Sequence, residues 1–189
     1  MTKNKIYLAT GNKHKAREAA EVLAPYGIAL EQYAINRVEI QADDPADIAA
    51  YSLSLVKDDL PICVEDAGLS LDRWNGFPGP YSSYVLRCLG NPGILKFMEG
   101  EQNRRAHYFS AVAYRDDKGI HIFRGAVDGE IAQSIRGTNG FGYDPIFIPT
   151  EYDNRTFGEL ETYEKNKISH RARAFRALAE WLTQISKVF

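Results

Sequence analysis

The residues able to do chemistry fall in separated segments. Glu65 and Asp66 are adjacent carboxylates that close the apolar run Ile62-Cys63-Val64, with Pro61 before it and Ala67-Gly68-Leu69 after. Such a run reads as a buried central strand whose carboxyl end carries the two acids to a sheet edge. Side chains alternate across a strand, so one acid should enter a crevice and the other point away. In open α/β sheets, crevices at strand carboxyl ends are where ligands bind. The competing reading is that the acids end a strand in solvent, as acidic turn residues commonly do. Thr10-Gly11-Asn12-Lys13-His14-Lys15 joins a strand to a helix and suits an anion: backbone N–H donors, a favourable helix dipole and mobile positive charge are what phosphate needs. It has neither P-loop nor GxGxxG spacing, and a polar turn with solvated lysines would look the same. Glu39 lies between Val38 and Ile40, and a glycine-rich loop runs from Gly140 to Pro145. His170 and Arg171 sit at a predicted helix start, where N–H groups favour anionic or carbonyl partners, so His170 reads as a substrate contact. The rings of His14, His107 and His121 read as structural or solvent-facing.

The elements that position these groups follow from periodicity and turn chemistry. A strand at 6–10 leads to a helix with Ala16, Ala19, Ala20 and Leu23 on one face. An extended stretch near Ala29 to Tyr33 continues through Arg37. Asp44 and Pro45 then start a helix as N-cap and first-turn residue, returning the chain to the Ile62 strand. The opening third is β-α-β-α-β, which argues for a sheet with helices on its faces. Trp74 to Ser83 is a stiff glycine- and proline-rich loop expected as a wall or lid. Two short helices follow, at 84–89 and 91–98. Arg105 to Asp128 is a β-hairpin turning at Asp116-Asp117-Lys118-Gly119. Gly125 to Ile135 supplies one or two further strands, Phe147-Ile148 another. Thr156 to Glu159 is a capping box, and Ser169 to Val188 a helix with Phe175, Leu178, Leu182 and Ile185 on its apolar face.

Bulk properties narrow the partners. The 189 residues suffice for one domain spanning 1–189. A net charge of −2 gives no global attraction to nucleic acid or membrane, which favours a small phosphate compound over a duplex. Cys63 and Cys88, without metal-ligand spacing, read as buried reduced thiols of a cytoplasmic protein. No apolar stretch approaches the roughly 18 residues of a membrane span, and there is no signal-like N-terminus.

Taken together, Thr10-Gly11-Asn12-x-x-Lys15, Glu65-Asp66-x-Gly68-Leu69, Gly76-Phe77-Pro78-Gly79-Pro80-Tyr81-Ser82, Gly140-Phe141-Gly142-Tyr143-Asp144-Pro145 and Glu164-Lys165-Asn166-x-x-Ser169-His170-Arg171 resemble the inosine triphosphate pyrophosphatase family from Ile6 to about Trp181. The resemblance implies an elongated, two-lobed α/β protein, a mixed sheet flanked by helices, with the nucleotide in a cleft between the lobes. It implies hydrolysis of ITP, dITP and XTP to monophosphate and pyrophosphate, with Mg²⁺, by a homodimer. It places Thr10 to Lys15 at the triphosphate, Glu39 and Asp66 at the metal, and Asp66 as proton acceptor. Ala67, Phe141, Gly142, Tyr143, Asp144, Lys165, His170 and Arg171 fall at the substrate. These roles are chemically coherent. A triphosphate bears close to four negative charges, which two carboxylates would repel without a cation between them. Arg171 facing the 6-oxo group would favour a deaminated base, and Phe141 or Tyr143 would stack on it. Two positions depart from the pattern: Ala67 where many relatives have a hydroxyl, and Ser52 where many have a substrate-binding lysine. Rival readings are a similar pyrophosphatase for another altered nucleotide and a single-strand nucleic-acid-binding module.

Overall fold

The computed structural model describes residues 4–35 and 37–185. In order they form β1 (Asn4–Ala9), α1 (Lys13–Leu23), β2 (Ile28–Tyr33), α2 (Pro45–Ser54), β3 (Ile62–Leu71), β4 (Pro78–Gly79), α3 (Ser82–Phe97), β5 (Arg105–Asp116), β6 (Gly119–Ile131), β7 (Phe147–Pro149), α4 (Thr162–Ile168) and α5 (His170–Ile185), with short 3₁₀ turns between. The Ile185 side chain, and the chain to Val188 over which the last helix is predicted, lie outside the described residues. The sheet has seven strands in the order β2-β1-β3-β5-β6-β7, with β4 against β3. β1 is parallel to β2 and β3, and β6 is antiparallel to β7. The expected mixed α/β class with helices over a sheet is therefore met.

Two compact units partition the chain. The first takes the described residues up to Asp66, Ser110–Gly125 and the chain from His170; the second takes Ala67–Phe109 and Ala126–Ser169. In the first unit the strands are apolar on both faces. Ile6 and Leu8 of β1, Cys63 of β3 and Val112 of β5 join one buried cluster with Ala19, Leu23, Phe175 and Leu178 of α1 and α5. Ala9, Ile62, Val64 and Ala113 join another with Ala49 and Leu53 of α2. Period-two alternation carries this assignment forward: Glu65 falls on the α1/α5 face with Cys63, and Asp66 on the α2 face with Val64.

Local chemistry fixes the helix starts. Asn12 caps α1, its side chain accepting from the N–H groups of His14 and Lys15 at 2.9 and 3.3 Å. Asp44 caps α2 by accepting from Ala46 N–H at 2.9 Å, with Pro45 in the first turn as predicted.

The second unit has its own core, built from Leu69, Leu71, Val85, Ile94, Tyr108, Val127, Phe147 and Phe157 among others. α3 is kinked at Gly90 (φ 63°), which reproduces the two predicted short helices. The Trp74 to Ser83 loop is anchored at its end to β3. Its β4 strand pairs with Leu69 and Ser70, and Ser82 Oγ accepts from Leu69 N–H at 2.7 Å while donating to the Gly79 carbonyl at 2.7 Å.

Four expectations change. β3 does not end at the acids but runs ten residues, because β4 provides Leu69 and Ser70 with a partner. Residues 125–131 are the end of β6 rather than a separate strand. α4 was not expected; Glu161 and Glu164 form a reciprocal capping box that starts it. Cys63 is buried as predicted, but Cys88 is exposed.

Candidate active site

In the first unit both carboxylates are buried, which overturns the reading of a strand ending in solvent: Glu65 is 1% exposed and Asp66 7%. They differ in what they meet. Glu65 is the hub of an ion-pair chain on the α1/α5 face. Lys15 Nζ lies 2.8 Å from its Oε2 and Arg171 Nε 3.0 Å from its Oε1, and Ser110 Oγ donates to it at 2.9 Å. Arg171 also donates from a terminal nitrogen to Glu18 at 2.7 Å. Burial alone would raise the Glu65 carboxyl, but Arg171 and Lys15 outweigh it and hold the group well below the usual carboxylate range. The parallel register explains the meeting. Leu8 pairs with Cys63, so the loop leaving β1 emerges level with Glu65.

Asp66 has no such complement. Its Oδ2 is buried with no hydrogen-bond partner among the described residues. Burial pushes its carboxyl up to about 6; the charges of Glu65 and Glu39 add to this, and Lys15 and Arg37 oppose it. Glu39 lies in an irregular segment before α2, half exposed at 50%, where Arg37 donates to its carboxylate at 2.6 Å. Ser52, the position at which the resemblance calls for lysine, is buried on α2 and donates to the Val38 carbonyl at 2.6 Å, pinning the backbone beside Glu39.

These acids fit a divalent cation. Among the described residues no three His, Cys, Asp or Glu side chains form a complete protein cage. Mg²⁺ does not require one, being held commonly by one or two carboxylates, water and substrate phosphate. A buried carboxylate oxygen lacking a partner, with a second carboxylate close enough to act on its charge, is a donor set of that kind.

Thr10 to Lys15 joins β1 to the first turn of α1, the strand-to-helix junction read from the sequence. Lys13, His14 and Gly11 are exposed, while Thr10 is buried and its Oγ1 accepts from Asn12 N–H at 3.1 Å. The first helical N–H groups, expected to be free for an anion, are engaged by the Asn12 side chain. His170, read from the sequence as a substrate contact, is 2% exposed. Arg171, expected to face a base edge, is equally buried, and its guanidinium holds the Glu65 and Glu18 carboxylates. Gly125 lets α5 start where it does: a Cβ there would lie 2.1 Å from the His170 carbonyl oxygen.

In the second unit the glycine-rich loop is organised by Asp144, 1% exposed. Its Oδ2 accepts from Phe141 N–H at 2.7 Å and from Lys165 Nζ at 2.6 Å. Lys165 is 2% exposed and lies 4.9 Å from the centre of the Phe141 ring. Lys165, expected at the substrate, thus also supports the loop from within. Tyr143 is a core residue, its hydroxyl donating to the Ser82 carbonyl at 2.8 Å. Of the two aromatics expected to stack, Phe141 alone is partly exposed. Gly142 gives its carbonyl to Asn91 at 3.1 Å, and Ala67 is half-buried on β3.

Gly140 is required by both conformation and space. Its φ is +72°, and a Cβ would lie 2.1 Å from Asp144 Oδ2. Gly140→Ala is expected to displace Asp144 and cost about 2–3 kcal/mol of stability. A urea titration checks this, and an unchanged midpoint would show that the loop does not depend on that approach.

Sequence reasoning singled out Glu65 without giving it a role, and did not find its partners Glu18 and Ser110 by way of Arg171 and β5, nor Arg37 beside Glu39. A signal existed for Glu18: it lies with Lys15, Ala19 and Val22 on the buried stripe of α1, where a charge needs a partner.

The Ham1 family model matches residues 6–181. A dITP/XTP pyrophosphatase of Hyperthermus butylicus is 47% identical over 184 residues, covering 95% of each chain. One of Methanopyrus kandleri is 48% identical over 180 residues, covering 94% of this chain and 95% of that one. Among solved structures, a HAM1 protein from Coxiella burnetii superposes with a TM-score of 0.82 at 30% identity, covering 96% of this chain and 99% of the other.

Proposed function

The chain belongs to the Ham1 family, and on that premise we propose that it hydrolyses the deaminated purine nucleotides ITP, dITP and XTP to monophosphate and pyrophosphate. The observation that carries the reading is Asp66. A buried carboxylate with a partnerless oxygen and a value near 6 can take a proton from water at neutral pH. Water attacks the α-phosphorus, the bond to the bridging oxygen breaks, pyrophosphate leaves, and the water's proton passes to Asp66. Lys15, held by Glu65 and 17% exposed, supplies positive charge to the phosphates.

Mg²⁺ is part of the proposal. Glu39 and Asp66 would hold it, and when bound it would neutralise phosphate charge and polarise the reacting groups. Phe141 is assigned to the base as a stacking surface. A donor facing the 6-oxo group would accept hypoxanthine and xanthine, and would meet the 6-amino donor of adenine with neither group satisfied. We further propose a homodimer, which light scattering would test, and a cytoplasmic location, where the nucleotide pool lies. No helix among the described residues is long and apolar enough to cross a membrane.

The test is pyrophosphate release from ITP, dITP, XTP, ATP, GTP and UTP with and without Mg²⁺. Mg²⁺-dependent cleavage of the deaminated purines is expected, with preference over ATP of at least about 100-fold. Comparable cleavage of ATP would refute the specificity, and preference for UTP would favour a pyrimidine substrate.

A further inference from the structure

Arg37 has no role in the reaction as described, yet it is placed among its acids. Its side chain is 11% exposed and donates at 2.6 Å to the carboxylate of Glu39, which is 50% exposed. A second guanidinium nitrogen is 3.5 Å from the Glu65 carbonyl oxygen, on the strand that carries Asp66. The charge of Arg37 also acts on Asp66. The pair is asymmetric: the arginine is enclosed and Glu39 is half in solvent. Glu39 stands on a segment without regular structure, where the Ser52 hydroxyl holds the backbone at Val38. A carboxylate on such a segment has several rotamers open to it. A rigid planar guanidinium fork with one nitrogen on the Glu65 carbonyl and another on a single Glu39 oxygen fixes the direction of the carboxylate and, among the described residues, leaves its other oxygen without a hydrogen bond from Arg37.

We propose that Arg37 is a positioning residue that orients Glu39 as a ligand for the divalent cation. The inference rests on the metal reading above. It also makes a prediction opposite in sign to simple electrostatics. A cation beside a metal site repels the metal, so loss of its charge alone would tighten binding. Loss of an orienting partner weakens it, by about 10- to 100-fold where such partners have been removed from metal ligands.

The experiment is a Mn²⁺ titration of the nucleotide-free protein followed by electron paramagnetic resonance, for the parent, Arg37→Gln, Arg37→Lys, Glu39→Gln and the double variant Arg37→Gln/Glu39→Gln. Arg37→Gln is expected to weaken Mn²⁺ binding about 10-fold or more. Arg37→Lys should restore only part, since it returns the charge without the fork. The double variant should bind as Glu39→Gln alone does, because Arg37 acts through Glu39. Equal or tighter binding by Arg37→Gln, or full rescue by lysine, overturns the proposal while leaving the metal reading intact. Unchanged binding by Glu39→Gln overturns the metal assignment itself, and the positioning role with it. Thermal melts of each variant accompany the titration, so that a fall in affinity without a fall in stability separates positioning from folding.

Discussion

Asparagine at position 66 is expected to lower pyrophosphate release from ITP by about 10³-fold or more, and at the same time to make the protein more stable at neutral pH. The first effect follows from removing a proton acceptor and a metal-binding oxygen at once. The second follows from burial. The carboxyl of Asp66 is raised from an ordinary 3.8 to about 6, chiefly because its ionised form is buried. Between those values the folded protein holds a proton that the unfolded chain has released, so stability falls as pH rises through that window. Above pH 6 the full cost is present, on the order of 3 kcal/mol as an upper bound. Asparagine has the same shape and no charge to bury. Without metal at pH 7.5, Asp66→Asn should therefore melt several degrees above the parent, at about 2–4 °C per kcal/mol for a chain of this size. The gap should close as pH approaches 4. A variant that keeps most of its activity would remove Asp66 from the chemistry. One that is inactive but less stable at pH 7.5 would show that the carboxylate is satisfied in the fold and not held there against its preference.

What the sequence disclosed and what it withheld divide along the range of the interactions. Asp44 with Pro45 announces a helix start because a cap is satisfied within three residues. Asp116 to Gly119 announces a hairpin for the same reason, and Lys118 N–H indeed bonds Asp116 at 2.9 Å. The glycine-rich loop was legible as a loop. Its dependence on Asp144 was not, since the partner Lys165 lies 21 positions away. The carboxylates that hold Arg171 and Lys165 were not legible either, because a sequence shows charge without showing the carboxylate that meets it. The helix stripes held the missing information in part. Arg171 precedes Ala174, Phe175, Leu178 and Ala179 at the spacing of a buried face, and Lys15 and Glu18 lie on the stripe of α1. A charged residue on a core-facing stripe implies a partner of opposite sign on whatever packs there. For two helices bearing Lys15, Glu18 and Arg171 against β3, the candidate is the acid on the matching face of the strand. Alternation from Cys63 makes that Glu65.

The same geometry sets the largest stability effect expected in the protein. Glu65→Gln keeps the size of the side chain and an oxygen able to accept from Ser110, but removes the one charge that Lys15 and Arg171 share. Arg171 would retain Glu18, whereas Lys15 would lose its ion pair beside β3. Breaking a buried pair from one side costs about 3–5 kcal/mol, because the surviving charge stays desolvated. The melting temperature should fall by roughly 10 °C. The pH dependence carries the more specific signature. Glu65 is held below its ordinary value of 4.5, so its contribution is present above that pH and is lost as pH falls toward the folded-state value. The difference between parent and variant in urea unfolding should be full at pH 7 and should narrow progressively below pH 4.5, with the parent approaching the variant. If instead the two differ equally at every pH, packing rather than charge explains the loss. If they do not differ at pH 7, Lys15 and Arg171 are not held by Glu65, and the position of Lys15 at the phosphates would need another cause.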